Sequence, residues 1–279
     1  MAENAVRGPR RDPWIVHVLL VLGAAVMVFP FVWQVLTAFK TVPESRAVPP
    51  VFVPSGWQVD AFTRFFDTLP VGGLFVVSIV ALVLRVAGQV LVSALAAYGF
   101  ACFDFPGRNA LFALFLIMLM APSQLFLIAQ FDLMKDLRLL DTLPAIAIPG
   151  LFSAFGTFLL RQAFLGIPAE FEEAARLDGA NSFQIFWRIM LPMAGPTLAA
   201  LALLTSLYSW NDLLWPLVVT SSKENMTLPV GLANLQGQYA TDYPTLMAGS
   251  FLVSLPLIVL FLALQRQFFA GIASSGLKG

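Results

Sequence analysis

Long apolar runs alternate along this chain with shorter polar stretches, and the lengths of the runs set the first expectation. Six of them are about twenty residues long, which is enough to cross a hydrocarbon core of roughly 30 Å as helices. They cover residues 15–36, 72–97, 110–129, 143–160, 197–219 and 246–264. The pattern predicts an all-α integral membrane protein with six transmembrane helices spread over residues 15–264, an N-terminal segment at 1–14 and a tail at 265–279. The first run follows Arg7, Arg10 and Arg11 as a signal peptide would, but it is longer than a signal core and no small-x-small cleavage site closes it, so it reads as a retained span.

Composition agrees: 59% of the 279 residues are hydrophobic and 11% charged, far too apolar for a soluble domain. The formal net charge is zero, and nothing in it points to nucleic acid. One cysteine, Cys102, expected in a loop just past the second run, and one histidine, His17, cannot build an internal disulfide or a Cys/His metal cluster. Membrane lipid is the surrounding the pattern calls for.

Basic residues favour cytoplasmic loops, which orients the chain. With the N-terminus inside, the inner segments hold nine basic residues, Arg7, Arg10, Arg11, Arg108, Arg161, Arg176, Arg188, Arg266 and Lys278. The outer segments hold six, Lys40, Arg46, Arg64, Lys135, Arg138 and Lys223, so both termini are expected in the cytoplasm. The Pro-rich outer stretch VPESRAVPPVFVPSGW is expected to hold no regular helix. The later stretch SSKENMTLPVGLANLQGQYATDY is also placed outside, and either loop is long enough for a protein to dock on.

Between the fourth and fifth runs lies EEAARLDGANSFQIFWRIMLP, residues 172–192. Pro168 suits the first helical position, and Glu170, Glu172 and Glu173 suit the positive end of the helix dipole. Phe171, Ala174, Ala175 and Asp178 share one face, whose two alanines allow another backbone close; Gly179 then fits a left-handed turn. Ser182 is the expected cap of a second helix carrying Phe183, Phe186, Trp187 and Met190, with Pro192 as its stop. The bulky aromatic side is expected against the span ends. The unit, about 167–192, is too short to span, which leaves an interfacial anchor or a docking surface. Its acids suit anionic lipid poorly and favour docking.

The spacing of Glu173-Ala174-Ala175, Asp178-Gly179-Ala180, Ile189 and Leu191-Pro192 resembles the coupling loop of permease subunits of bacterial ATP-binding-cassette importers. LAAYGFACFDFPGRN at 95–109, WNDLLWPLVV at 210–219 and the tail around Gly276, Lys278 and Gly279 resemble the carbohydrate branch, in the subunit like the smaller maltose permease. The resemblance implies a heterodimer with a second permease, two nucleotide-binding ATPase subunits and an extracytoplasmic substrate-binding protein, in the bacterial inner membrane. It implies that Glu173, Ala174, Ala175, Asp178, Gly179, Leu191 and Pro192 couple to the ATPase, and that Gly276, Lys278 and Gly279 touch it. No GxxxxGK[ST] phosphate loop is present, so this chain is expected to bind no cofactor and to be no enzyme, with ATP and magnesium used by the partner.

Charged and polar groups inside spans normally face the bundle interior. Arg85 with Gln89, and Trp210, Asn211, Asp212 and Trp215, are therefore candidates for a path suited to a hydroxyl-rich solute, or for interhelix pairing. Pro122, Pro144, Pro149 and Gly150 are candidate bends whose freed carbonyls need partners. Glycerol-3-phosphate or a glycerophosphodiester is the second substrate reading, a channel or secondary transporter a third, and a membrane enzyme built around Asp212 a distant fourth.

Overall fold

The computed structural model describes residues 13–237 and 241–276. Among the described residues every regular element is a helix. In chain order these are α1 (Pro13–Ala38), α2 (Val42–Ser45), α3 (Asp60–Thr68), α4 (Val71–Cys102), α5 (Arg108–Met118), α6 (Leu127–Asp136), α7 (Leu143–Ala147), α8 (Ala154–Leu165), α9 (Glu170–Leu177), α10 (Ser182–Ile185), α11 (Leu191–Met193), α12 (Gly195–Trp210), α13 (Leu214–Val219), α14 (Leu228–Asn234) and α15 (Tyr243–Gly276). They fall into two units, residues 1–68 with 235–252, and residues 69–234 with 253–279.

Three helices are long and apolar enough to cross a membrane unbroken, over Trp14–Ala38, Val71–Cys102 and Tyr243–Ala263. Three further pairs, bent by 96°, 48° and 77°, bring the number to as many as six. The third and fourth runs thus break where candidate bends are expected, whereas the fifth breaks after Trp210, where none is, and the 77° bend lies just ahead of that run, between Met193 and Gly195. α5 stops ahead of Pro122, which disfavours helical geometry in the residue before it. α7 gives way to a 3-10 turn at Ile148–Gly150, where Pro149 supplies no N–H. α12 ends at Trp210 because Pro216 could not continue the ladder, and α13 begins a new helix that holds Pro216 in its first turn.

In the first unit, Ala38, Ala61 and Ala248 form a small core with Phe62 and Met247. Arg64 pairs with Asp242 at 3.1 Å. The Pro-rich stretch does contain one helical turn, a correction to its expected irregularity. Pro43 sits in the first turn of α2, where a missing N–H costs nothing, and Thr41 and Glu44 cap it reciprocally. Glu44 also accepts from the Ser55 hydroxyl and amide, and these bonds, with the Thr41 amide, pull its carboxyl down to about 2.

In the second unit α4 packs against α7, α8, α12 and α14. One core gathers Ala94, Ala97 and Tyr98 of α4 with Leu160, Phe164, Ile185, Phe186, Met190 and Leu201. Cys102 is the last residue of α4 and half-buried, rather than in a loop beyond it.

Candidate functional site

The segment between α8 and α12 is built much as its sequence suggests, with differences in detail. α9 opens two residues after Pro168 and carries Glu170, Glu172 and Glu173 in its first turn. Gly179 adopts φ +83°, a conformation L side chains rarely take, and turns the chain out of α9. The next cap is Asn181 rather than Ser182: its side chain accepts from the Gln184 amide while Gln184 reaches back to the Asn181 amide. Nor does Pro192 stop the helix. Phe186–Met190 form a π-helical turn, whose wider ring absorbs the carbonyl that the Pro192 ring would otherwise strike, and the chain runs on to Met193.

The faces divide cleanly. Ile185, Phe186 and Met190 are buried in the α4 core, whereas Phe183 and Trp187 remain exposed, so only part of the aromatic side packs inward. Ala175 lies half-buried against that core, and Ala174 is exposed. Outward stand Glu173, which has no ion-pair partner among the described residues, Phe171 at 50% exposure and Leu177 at 90%. Glu172 is taken by Arg176 one turn on, at 2.7 Å, and that bond raises the arginine further above its ordinary range. Asp178 and Pro192 are exposed, and Leu191 is half-buried against the core. A 90%-exposed leucine beside an unpaired glutamate is a surface built to be covered.

A cleft of about 820 Å³ opens between α4, the α5–α6 bend, the α7–α8 bend and α12. Arg85 and Asp212, 127 positions apart, meet there at 2.8 Å. Gln89 donates to Thr205 at 2.8 Å, and Gln124, Gln130, Ser123 and Ser153 add amides and hydroxyls. Arg85 lies over Gly150: a Cβ built on that glycine would fall on the guanidinium. Asp212 has a second task, its other oxygen accepting from the Trp215 amide in the first turn of α13 at 3.4 Å.

Trp215 lines the cleft but spends its N–H on the Ala145 carbonyl, at 2.9 Å. That carbonyl is the one Pro149 leaves without a helical donor, so the indole replaces the missing bond. Trp210 is not part of the cleft; its indole is buried and donates to the Val253 carbonyl at 2.9 Å. Asn211 is exposed and bonds back to the Leu207 carbonyl. Gly276 closes α15, and Lys278 and Gly279 lie outside the described residues.

Cleft and loop share α4. Tyr98 donates to the Ser182 carbonyl at 3.2 Å and its ring lies 5.2 Å from that of Phe186. Arg85 stands 13 residues earlier on the same helix, about 20 Å away at 1.5 Å per residue. A rigid rod therefore connects the loop to the cleft. Sequence reasoning missed the Tyr98 seam, because its partner is a backbone carbonyl, and missed Gln124 and Gln130, which the rarity of polar side chains within apolar runs would have flagged.

The model of the family described as binding-protein-dependent transport system inner membrane component matches residues 89–273, a stretch that holds the loop and most of the cleft. This chain belongs to that family. The permease is 38% identical over 273 residues to the arabinooligosaccharides transport system permease AraQ of Halalkalibacterium halodurans, covering 95% of this chain and 96% of that one. It is 35% identical to the lactose transport system permease LacG of Rhizobium radiobacter, over 95% and 97% of the two chains. To the sn-glycerol-3-phosphate transport system permease UgpE of Escherichia coli it is 31% identical, over 94% and 98%. Its fold matches a crystal structure of a bacterial ABC transporter involved in import of alginate, with a TM-score of 0.81 and 24% identity over 94% of this chain and all of that one. The protein is an inner-membrane permease of an ATP-binding-cassette importer and not an enzyme; ATP is hydrolysed by a separate subunit.

Proposed function

We propose that this permease forms half of the path for a sugar or oligosaccharide and couples to its ATPase through the outward face of α9. The observation that carries the reading is the juxtaposition on one rod: α4 lines the polar cleft at Arg85 and Gln89 and is bonded to the loop at Tyr98. Glu173, with Ala174 beside it, is the acid offered to a basic cleft on the ATPase. Asp178 and Gly179 turn the chain, and Leu191 and Pro192 fix its return to α12. The C-terminal Gly276, Lys278 and Gly279 make a second contact with the ATPase pair. A second permease completes the path as a heterodimer, two ATPase subunits use ATP and magnesium, and an extracytoplasmic binding protein delivers solute. Both termini face the cytoplasm.

Relatives named for arabinooligosaccharides and lactose support a carbohydrate, as do the amides, hydroxyls and aromatic rings of the cleft. Glycerol-3-phosphate is the second reading, supported by the relative at 31% identity. In the assembled transporter, Glu173→Lys is expected to leave insertion intact, cut solute uptake at least tenfold and disconnect ATP hydrolysis from the binding protein. Unchanged uptake in that variant would sink the docking role.

A further inference from the structure

We infer that Asp212 sets the charge preference of this cleft: by holding Arg85 it makes the site neutral and suited to uncharged, hydroxyl-rich solutes, and its loss would turn the same site into one for carboxylated or phosphorylated sugars. The inference rests on the reading of the cleft as a solute path. Among the described residues lining it, Arg85 is the one cation and Asp212 the one anion, and they touch at 2.8 Å. Their side chains keep 21% and 20% exposure, so the pair faces the cleft instead of being sealed behind it. Arg85 cannot retreat, because its guanidinium is seated over Gly150 and its Nε is buried there without a hydrogen-bond partner among the described residues. Asp212 is held from both oxygens, one accepting from Arg85 and the other from the Trp215 amide.

An arginine held open to a cavity is the residue best matched to carboxylate or phosphate, since its fork donates two parallel N–H bonds to the oxygens of such groups. Here one arm of that fork, Nη1, is already bonded to a carboxylate from within the chain. An incoming anion would have to displace Asp212 and leave that carboxylate beside its own charge, whereas a neutral sugar meets Gln89, Gln124, Gln130, Ser123 and Ser153 at no such cost. Asn at position 212 can keep the oxygen that accepts from the Trp215 amide while it replaces the oxygen that holds Arg85 with an NH2 donor, removing the charge and the grip on Arg85 together, which makes the idea testable without dismantling the break between α12 and α13.

The test uses the full transporter in native membranes with Cys102→Ser as background and Ser123→Cys as reporter, because Ser123 shares a side recess with Arg85 and Asp212. Labelling rates are compared for methanethiosulfonate reagents carrying a negative sulfonate or a positive trimethylammonium. Adding Asp212→Asn is expected to raise the anionic-to-cationic rate ratio about tenfold, Arg85→Gln to lower it by a similar factor, and the double change to restore it. Digalacturonate is expected to protect the thiol only with Asp212→Asn, and neutral galactobiose to protect it with or without that change. A ratio unmoved by either single change, or digalacturonate protection in the presence of Asp212, overturns the inference. The path reading fails separately: thiol labelling that does not respond to turnover with ATP and binding protein would remove the cleft from the route, whatever the charge ratio does.

Discussion

At Gly150 the absence of a side chain is a packing requirement, since any Cβ would strike the Arg85 guanidinium. Gly150→Ala must push Arg85 off Asp212 or open the α7–α8 bend, at a cost of about 1–3 kcal/mol. Gly99→Ala is the control: nothing lies within 4 Å of its would-be Cβ, and alanine in a helix interior gains about 0.5–1 kcal/mol. Thermal unfolding of the two variants in detergent should therefore shift in opposite directions. Asp141 is a second single-residue anchor. It sits at φ +59°, accepts from the Ser221 and Ser222 amides and the Ser222 hydroxyl, and takes a bond from Asn225 on its own carbonyl. Those backbone bonds hold its carboxyl below the ordinary range. A lowered folded value means that the stabilisation is complete above the unfolded pKa of about 4 and is lost only as pH falls through the lowered one. Protection of the Ser221 and Ser222 amides from hydrogen exchange should accordingly stay flat between about pH 5 and 8. Asp141→Ala should speed tryptic cleavage after the exposed Lys223 several-fold.

Helices are where legibility divides. The run forming α4 was readable because it carries no proline between Val71 and Cys102 and one charge, so length and hydropathy coincide with the element. The third, fourth and fifth runs are equally apolar, yet hydropathy is blind to the backbone donor that Pro122, Pro149 and Pro216 lack. The bends were foreseeable at the first two, but not the partner at the second: that Trp215, 70 residues from Ala145, supplies its missing hydrogen bond is a tertiary fact. The loop is the opposite case, since its turn at Gly179 depends on local chemistry and was legible. Its π turn was not, because Pro192 reads equally well as a helix stop, and whether the chain instead widens and runs on is decided together with the burial of Phe186 and Met190 against α4. This seam predicts a specific phenotype. Phe186→Ala should leave α9 and its outward face folded but loosen their grip on α4, at about 3–5 kcal/mol for a buried phenylalanine. ATP hydrolysis in the assembled transporter should then persist while uptake falls.

Across the second unit, the arrangement amounts to one rod with work at both positions. The loop core holds α4 near Tyr98, the cleft holds it at Arg85 and Gln89, and the bends in the neighbouring helices sit beside the same ion pair. A push on α9 therefore reaches the wall of the cleft without a separate relay. Of the residues singled out from sequence, Arg85, Gln89, Asp212 and Trp215 line the cleft and Asn211 joins Arg85 and Asp212 at its side recess, while Trp210 belongs to helix packing. Spacing alone could not separate these, because WNDLLWP puts four of them within six positions of one another and only the break after Trp210 turns them in different directions. The central claim, that the outward face of α9 is where the ATPase takes hold, is tested most directly by proximity. Ala174→Cys in a Cys102→Ser background would be treated with a short thiol-to-amine crosslinker in native membranes. An adduct between this permease and the ATPase subunit, with a yield that changes between nucleotide-free and ATP-bound conditions, is the predicted result. A thiol that is fully modified by the reagent yet never joined to the ATPase would contradict it.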